Sequence, residues 1–197
     1  MAGRWKHFGH YGAQGMPGWE ALQKQLQEIV KAGGIKSPID TPRGLKARLG
    51  YLDSPRGREA LAAAGIKARP AVIKAWQAGT RQPRPVNLDR IERAYLDHRA
   101  ANLVRSGALA RHLNNGGRGT RVEIYPVDQS RVQEGRKRDI EPRIGPRSIT
   151  VRYVWDDMVN AWATGDEQTL DAIWDDIICD LDSEYDAYSY VSAVGFS

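Results

Sequence analysis

The chain has 197 residues, with 29 Lys and Arg against 24 Asp and Glu, a formal charge of +5, and 41% apolar and 27% charged residues. A single cysteine, Cys179, excludes an internal disulfide framework. The longest nearly apolar run, residues 60–66, falls far short of the about 20 residues that cross a bilayer, and no apolar leader follows the opening Met-Ala-Gly-Arg-Trp-Lys-His.

Residues 1–18 are glycine-rich and alternate Trp5, Phe8 and Tyr11 with Arg4, Lys6, His7 and His10. This composition predicts a mobile arm, with no second pair of ligands to make His7 and His10 a metal site. A helix follows from about Trp19 to Ala32, its apolar face carried by Trp19, Leu22, Leu26, Ile29 and Val30. Gly33-Gly34 ends it, and Ser37-Pro38 marks a linker. Thr41-Pro42 opens a second helix bearing Leu45, Leu49 and Leu52, and Ser54-Pro55 opens a third that Gly65 ends. Pro70 opens a fourth with Val72, Ile73 and Trp76, ending at Gly79. A long basic helix from about Val86 carries Leu88, Ile91, Tyr95, Leu96 and Leu103, and the helical pattern runs on to Leu113 before Asn114-Asn115-Gly116-Gly117 breaks it.

Two strands come next. Residues 121–127 place Val122 and Ile124 opposite Arg121, Glu123 and Tyr125; residues 148–154 place Ile149, Val151 and Tyr153 opposite Ser148, Thr150 and Arg152. The basic stretch 131–147 between them reads as a loop. Two amphipathic helices close the chain, the first on Trp155, Met158, Val159 and Trp162, the second on Leu170, Ile173, Trp174, Ile177 and Leu181, with Gly165 turning between them. Cys179 adjoins the second stripe. The expected fold is mainly α with a small β element.

Charge divides the chain. Residues 1–154 hold all 29 bases and 13 acids, net +16, and residues 155–197 hold 11 acids and no Lys or Arg. A polyanion-binding front and a partner-binding or self-shielding back follow from that division. No phosphate-cradling glycine loop, metal-ligand set or nucleophile–base pair stands out, so neither an enzyme nor a cofactor nor a metal is expected. The doublets Asp156-Asp157 and Asp175-Asp176 occupy adjacent helix positions that point apart.

The stretch from Glu59 to Pro83, with Ala62 or Ala63, Gly65, Val72, Ile73, Trp76, Gly79, Arg81 and Pro83 at its key positions and Leu88 and Ile91 beyond, resembles the repressor-type helix-turn-helix. The turn from Gly65 to Trp76 is longer than that family usually has. The resemblance implies a recognition helix whose N-terminal side chains enter the major groove of duplex DNA. Arg69, Lys74 and Gln77 are the polar side chains on its outer side able to meet base edges, while Lys67, Arg81 and Arg84 flank it as phosphate contacts.

The strand at 148–154 and the two helices after it resemble a ribbon-helix-helix unit. That implies a homodimer in which two protomers pair their strands, build one shared core from their helices, and turn Ser148, Thr150 and Arg152 outward to face the major groove of DNA. Asp166 and Glu167 stand where a phosphate would bind at the second helix N-terminus; they suit the helix dipole but repel phosphate. The unit therefore reads as a dimerisation module. The expected domains are an arm and helix at 1–40, a helix-turn-helix bundle at 41–113, and the basic β element with the acidic strand-helix-helix at 114–197.

From Leu45 onward the order of elements, with Arg81-Gln82-Pro83-Arg84-Pro85 after the helix-turn-helix and an acidic, Tyr-bearing tail, resembles the telomere-terminal proteins of linear bacterial replicons. The resemblance implies binding of telomeric DNA, a side-chain hydroxyl that accepts the first nucleotide, a telomere-binding protein and a DNA polymerase as partners, and a cytoplasmic, nucleoid-associated location without membrane. In that family the hydroxyl lies shortly before the strand; residues 131–147 hold no Ser, Thr or Tyr, and the nearest candidates are Ser148 and Thr150. The alternative is a dimeric helix-turn-helix transcriptional regulator.

Overall fold

The computed structural model describes residues 8–140, 144–181 and 185–197 and is mainly helical with small antiparallel sheets. In chain order the elements are β1 (Met16–Pro17), α1 (Gly18–Ala32), α2 (Pro42–Tyr51), α3 (Pro55–Ala63), α4 (Pro70–Ala78), α5 (Pro85–Arg105), α6 (Ala108–Asn114), β2 (Thr120–Tyr125), β3 (Arg147–Val151), α7 (Trp155–Thr164), α8 (Glu167–Cys179), α9 (Tyr185–Tyr188), β4 (Tyr190–Val191) and β5 (Ala193–Phe196). Among the described residues no helix is long and apolar enough to cross a membrane.

The chain divides into two compact units, one made of residues 1–26 and 106–197, the other of residues 27–105. These boundaries differ from those expected at 40/41 and 113/114. The second unit takes in the end of α1 and the linker after it, and α6 belongs to the first.

In the unit at 27–105 the helix starts are set locally. The Thr41 hydroxyl accepts the Gly44 N–H at 3.0 Å and the Ser54 hydroxyl accepts the Gly57 N–H at 3.0 Å, each followed by a proline in the first turn. Both glycines are tightly enclosed: a Cβ on Gly57 would lie 2.2 Å from the Leu52 carbonyl oxygen. The core gathers Leu45, Leu49, Leu52, Leu61, Ile66, Trp76, Ile91, Ala94 and Tyr95, with α3 on α5, and α2 on both α4 and α5.

One charged side chain sits inside that core. Arg48 is 4% exposed, and its guanidinium is held by hydrogen bonds from both Nη atoms and by an ion pair at Nε. Nη1 donates to the Ser37 carbonyl at 2.7 Å and the Gly44 carbonyl at 3.2 Å, and Nη2 donates to Glu92 Oε1 at 3.2 Å. Nε closes an ion pair with Glu92 Oε2. The Tyr95 ring lies 5.3 Å from the guanidinium carbon, and its hydroxyl accepts the Ile35 N–H at 2.8 Å. Arg99 ties α5 to the end of α1 by donating to the Val30 carbonyl at 2.9 Å and the Gly33 carbonyl at 2.6 Å.

The first unit differs from expectation in three places. Phe8 is 3% exposed rather than part of a mobile arm: it stacks on Tyr190 at 5.4 Å, lies under the Arg138 guanidinium at 4.3 Å, and joins Ala13 and Val132 in a small cluster. Tyr11 likewise lies under Arg136 at 4.9 Å. Arg4, Trp5, Lys6 and His7 lie outside the described residues.

The second difference concerns the strand-helix-helix module. β3 pairs antiparallel with β2 of its own chain, Thr150 opposite Arg121 and Ser148 opposite Glu123, in a sheet of order β3-β2-β5. Trp155, Met158 and Leu170 are fully buried and Trp174 is 1% exposed within a single chain. Within the chain, β5, unforeseen in the sequence, and the segment around Tyr188 help enclose the stripes of α7 and α8, Phe196 meeting the Trp155 ring at 5.5 Å. The Trp155 indole donates to the Val151 carbonyl at 3.1 Å and the Trp174 indole to the Tyr188 carbonyl at 3.0 Å.

Third, the strand stops at Val151. Tyr153 takes φ +66° and is 81% exposed instead of continuing the inner face, as the chain turns toward α7.

Removing the Glu92 carboxylate (Glu92→Ala) leaves the Arg48 charge buried without its counter-ion and is expected to destabilise the protein by about 3 kcal/mol; urea unfolding measures it, and a change below about 1 kcal/mol contradicts the role given to the pair. His98 is also buried, and its pKa is held below the ordinary 6.5 by burial first, then by Arg105 and Arg56. The unfolded state takes up the proton first as pH falls, so this contribution is complete above about pH 6.5 and lost as pH falls through the lower folded value. The melting temperature is expected to drop between about pH 7.5 and about pH 5, and to drop less in His98→Gln; parallel profiles for the two proteins would refute it.

Candidate nucleic-acid interface

The site is built around α4. Arg69 precedes the helix in an extended conformation, Pro70 fills its first position, and Gly79 ends it at φ +77°, where a side chain would be strained although no neighbour stands within 4 Å. The turn before it is shaped by Gly65 at φ +84° and anchored by Ile66, which is 7% exposed and bonded through its N–H to the Leu61 carbonyl at 3.0 Å. Arg90 of α5 reaches back to donate to the Gly65 carbonyl at 3.1 Å.

The inner face of α4 carries Trp76, 5% exposed, with Val72 and Ile73 half-buried beside it. Its outer face is small: Ala71, Lys74 and Ala78 are exposed and Ala75 is half-buried. Lys74 is the long polar side chain on that face. Gln77, expected beside it, is half-buried on the side toward α2, where a Cβ added to Gly50 would lie 3.6 Å from its amide nitrogen. Lys74 and Gln77 share a shallow cavity of about 80 Å³ with Asp53 and Arg58, which pair at 3.2 Å.

A larger cavity of about 380 Å³ lies between the turn, α4 and the start of α5. Lys67, Arg81 and Arg84, predicted from the sequence, all line it, and so does Arg90, which the sequence reading passed over. Its signal was present: Arg84, Asn87 and Arg90 recur every third residue, one polar stripe at the start of α5. Lys67, Arg81 and Arg84 are exposed and make no ion pair with the described residues, and no carboxylate lines the cavity. Residues 27–105 carry 16 Lys and Arg against 7 Asp and Glu, net +9.

The remaining predicted residues belong to the other unit. Ser148 and Thr150 are exposed on β3, and Arg152, just past it, donates from Nε to the Arg118 carbonyl at 3.0 Å. The cation facing Thr150 across the sheet is Arg121, whose Nε lies 3.9 Å from Glu123. At the start of α8, the Asp166 carboxylate accepts the Thr169 hydroxyl at 2.7 Å and the Thr169 N–H at 3.0 Å, which hold its pKa below the usual carboxylate value. That terminus is occupied by its own cap.

Among the described residues no group of three His, Cys, Asp or Glu side chains is placed to hold a metal ion. No family model, curated protein or solved structure matches the chain.

The two kinds of arginine at the large cavity separate by stability. Arg84→Ala, which removes no side-chain bond to the described residues, is expected to leave the unfolding free energy within about 0.5 kcal/mol, whereas Arg90→Ala frees the Gly65 carbonyl and costs about 1 kcal/mol. Chemical denaturation compares them, and equal costs would contradict the placement of Arg90.

Proposed function

We propose that residues 42–105 act as a helix-turn-helix unit that binds duplex DNA, with α4 lying in the major groove. The observation that carries this reading is the flanking of a small, exposed helix face by cations that no carboxylate of the described residues neutralises. Alanines at 71, 75 and 78 let the backbone approach base edges, and Lys74 is the side chain long enough to bond to guanine O6 and N7. Arg69, exposed at the helix start, is the second reader. Lys67 before the helix, and Arg81 and Arg84 after it, hold phosphates on either side and fix the register. Gln77 drops from the reading set because it is turned toward α2.

The resemblance to telomere-terminal proteins extends this reading to the end of a linear replicon, with Ser148 or Thr150 as the hydroxyl that takes the first nucleotide and a telomere-binding protein and a DNA polymerase as partners. In support, both hydroxyls are exposed on one strand, and Thr150 has a cation directly across from it. Nuclease digestion of the protein from its native host followed by mass measurement tests it: a residual nucleotide on the peptide bearing Ser148 and Thr150 is the expected result, and an unmodified mass removes the priming role and leaves a regulator.

Selection from random duplexes tests the readers. Lys74→Ala is expected to relax preference at one base position by about 1–3 kcal/mol, and Arg84→Ala to weaken all sequences alike while reducing the salt slope by about one. Uniform loss from both variants would refute the assigned roles.

A further inference from the structure

The cavity beside α4 has features that phosphate contacts along a duplex do not require. Its volume of about 380 Å³ falls within the range of small-molecule sites, roughly 300–1,000 Å³. Its lining combines the apolar Ile66, Val72 and Trp76 with four cations. Gln82 and Asn87 add two side-chain amides to the lining. Trp76 Nε1 is buried without a hydrogen-bond partner, although buried N–H groups in native proteins are almost always bonded.

Each feature restricts the ligand. Lys67, Arg81, Arg84 and Arg90, with no carboxylate among them, require an anion, and the planar guanidinium forks suit phosphate oxygens best. An apolar lining that includes an indole suits a flat heterocycle. Side-chain amides suit adenine, whose adjacent donor and acceptor a single Asn or Gln can match. We propose that this cavity binds an adenine nucleotide, its base against Trp76 and Val72 and its phosphate among Arg81, Arg84 and Lys67. Binding is non-covalent, and it stands whether or not α4 enters DNA. Where it does, the nucleotide occupies the phosphate-holding cations and so regulates the duplex site.

The test uses the full chain labelled with ¹⁵N, following the indole N–H signals while AMP, adenosine or inorganic phosphate is added at constant ionic strength. Trp76→Phe identifies the signal by its loss; if that variant does not fold, the backbone amides of Gly65 and Val72 report instead. The expected result is saturable movement of the Trp76 signal with AMP at a Kd of about 1 mM or tighter, with adenosine and phosphate each at least about tenfold weaker, and with AMP weakened about tenfold in Arg84→Gln. No movement with AMP, equal affinity for phosphate alone, or undiminished affinity in Arg84→Gln overturns the proposal. A gel shift with random duplex on the same sample keeps the two readings apart. A nucleotide response without duplex binding refutes the DNA reading alone, and duplex binding without a nucleotide response refutes this one alone.

Discussion

The buried guanidinium of Arg48 is the constraint on which the unit at 27–105 depends. It sits where α2, α5 and the linker before α2 converge, and it joins all three by bonds that a neutral side chain cannot reproduce. A charge taken out of water is costly unless every donor finds an acceptor, so the arrangement tolerates little displacement of Ser37, Gly44 or Glu92. With α2 and α5 held in this way, α3 packs on α5 and α4 on α2. Which face α4 turns outward follows from its packing on α2.

Charge is distributed to match. Within the unit, the acid that does pair deeply, Glu92, is spent on a structural partner, while Lys67, Arg81 and Arg84 remain unneutralised around one cavity. A set of like charges held at close quarters repels itself and destabilises the compact state unless an anion joins it. That imbalance is the physical ground shared by the DNA and nucleotide readings. The acids concentrated after Arg152 serve their own unit in part, as the Asp166 cap shows.

Much of the helical order was legible because it is written in short-range chemistry. Thr41-Pro42 and Ser54-Pro55 announced helix starts that the hydroxyl caps confirm, and Gly79 announced an end that its positive φ confirms. The alternation of Val122 and Ile124 likewise marked an inner face, both being fully buried. Of the candidate cations, Lys67, Arg81 and Arg84 were found by their nearness to the Trp76 segment, and they do line one cavity. Arg90 was missed because the long helix was read by its apolar stripe alone. Gln77 was misjudged because helix periodicity cannot say that Gly50, on another element, leaves room for its amide.

The sequence by itself determined where helices begin and end, which residues are apolar enough to be inside, and that bases and acids occupy different stretches, since capping, periodicity and composition act over a few neighbouring residues. Only the tertiary structure decided that β3 pairs within its own chain, that Phe8 packs on Tyr190 in a core and not in an arm, and that Lys67, before α4, lines one cavity with the cations that follow that helix. Each of these is a contact between segments far apart in the chain, and such contacts are selected by the packing of the whole unit, which no local pattern encodes.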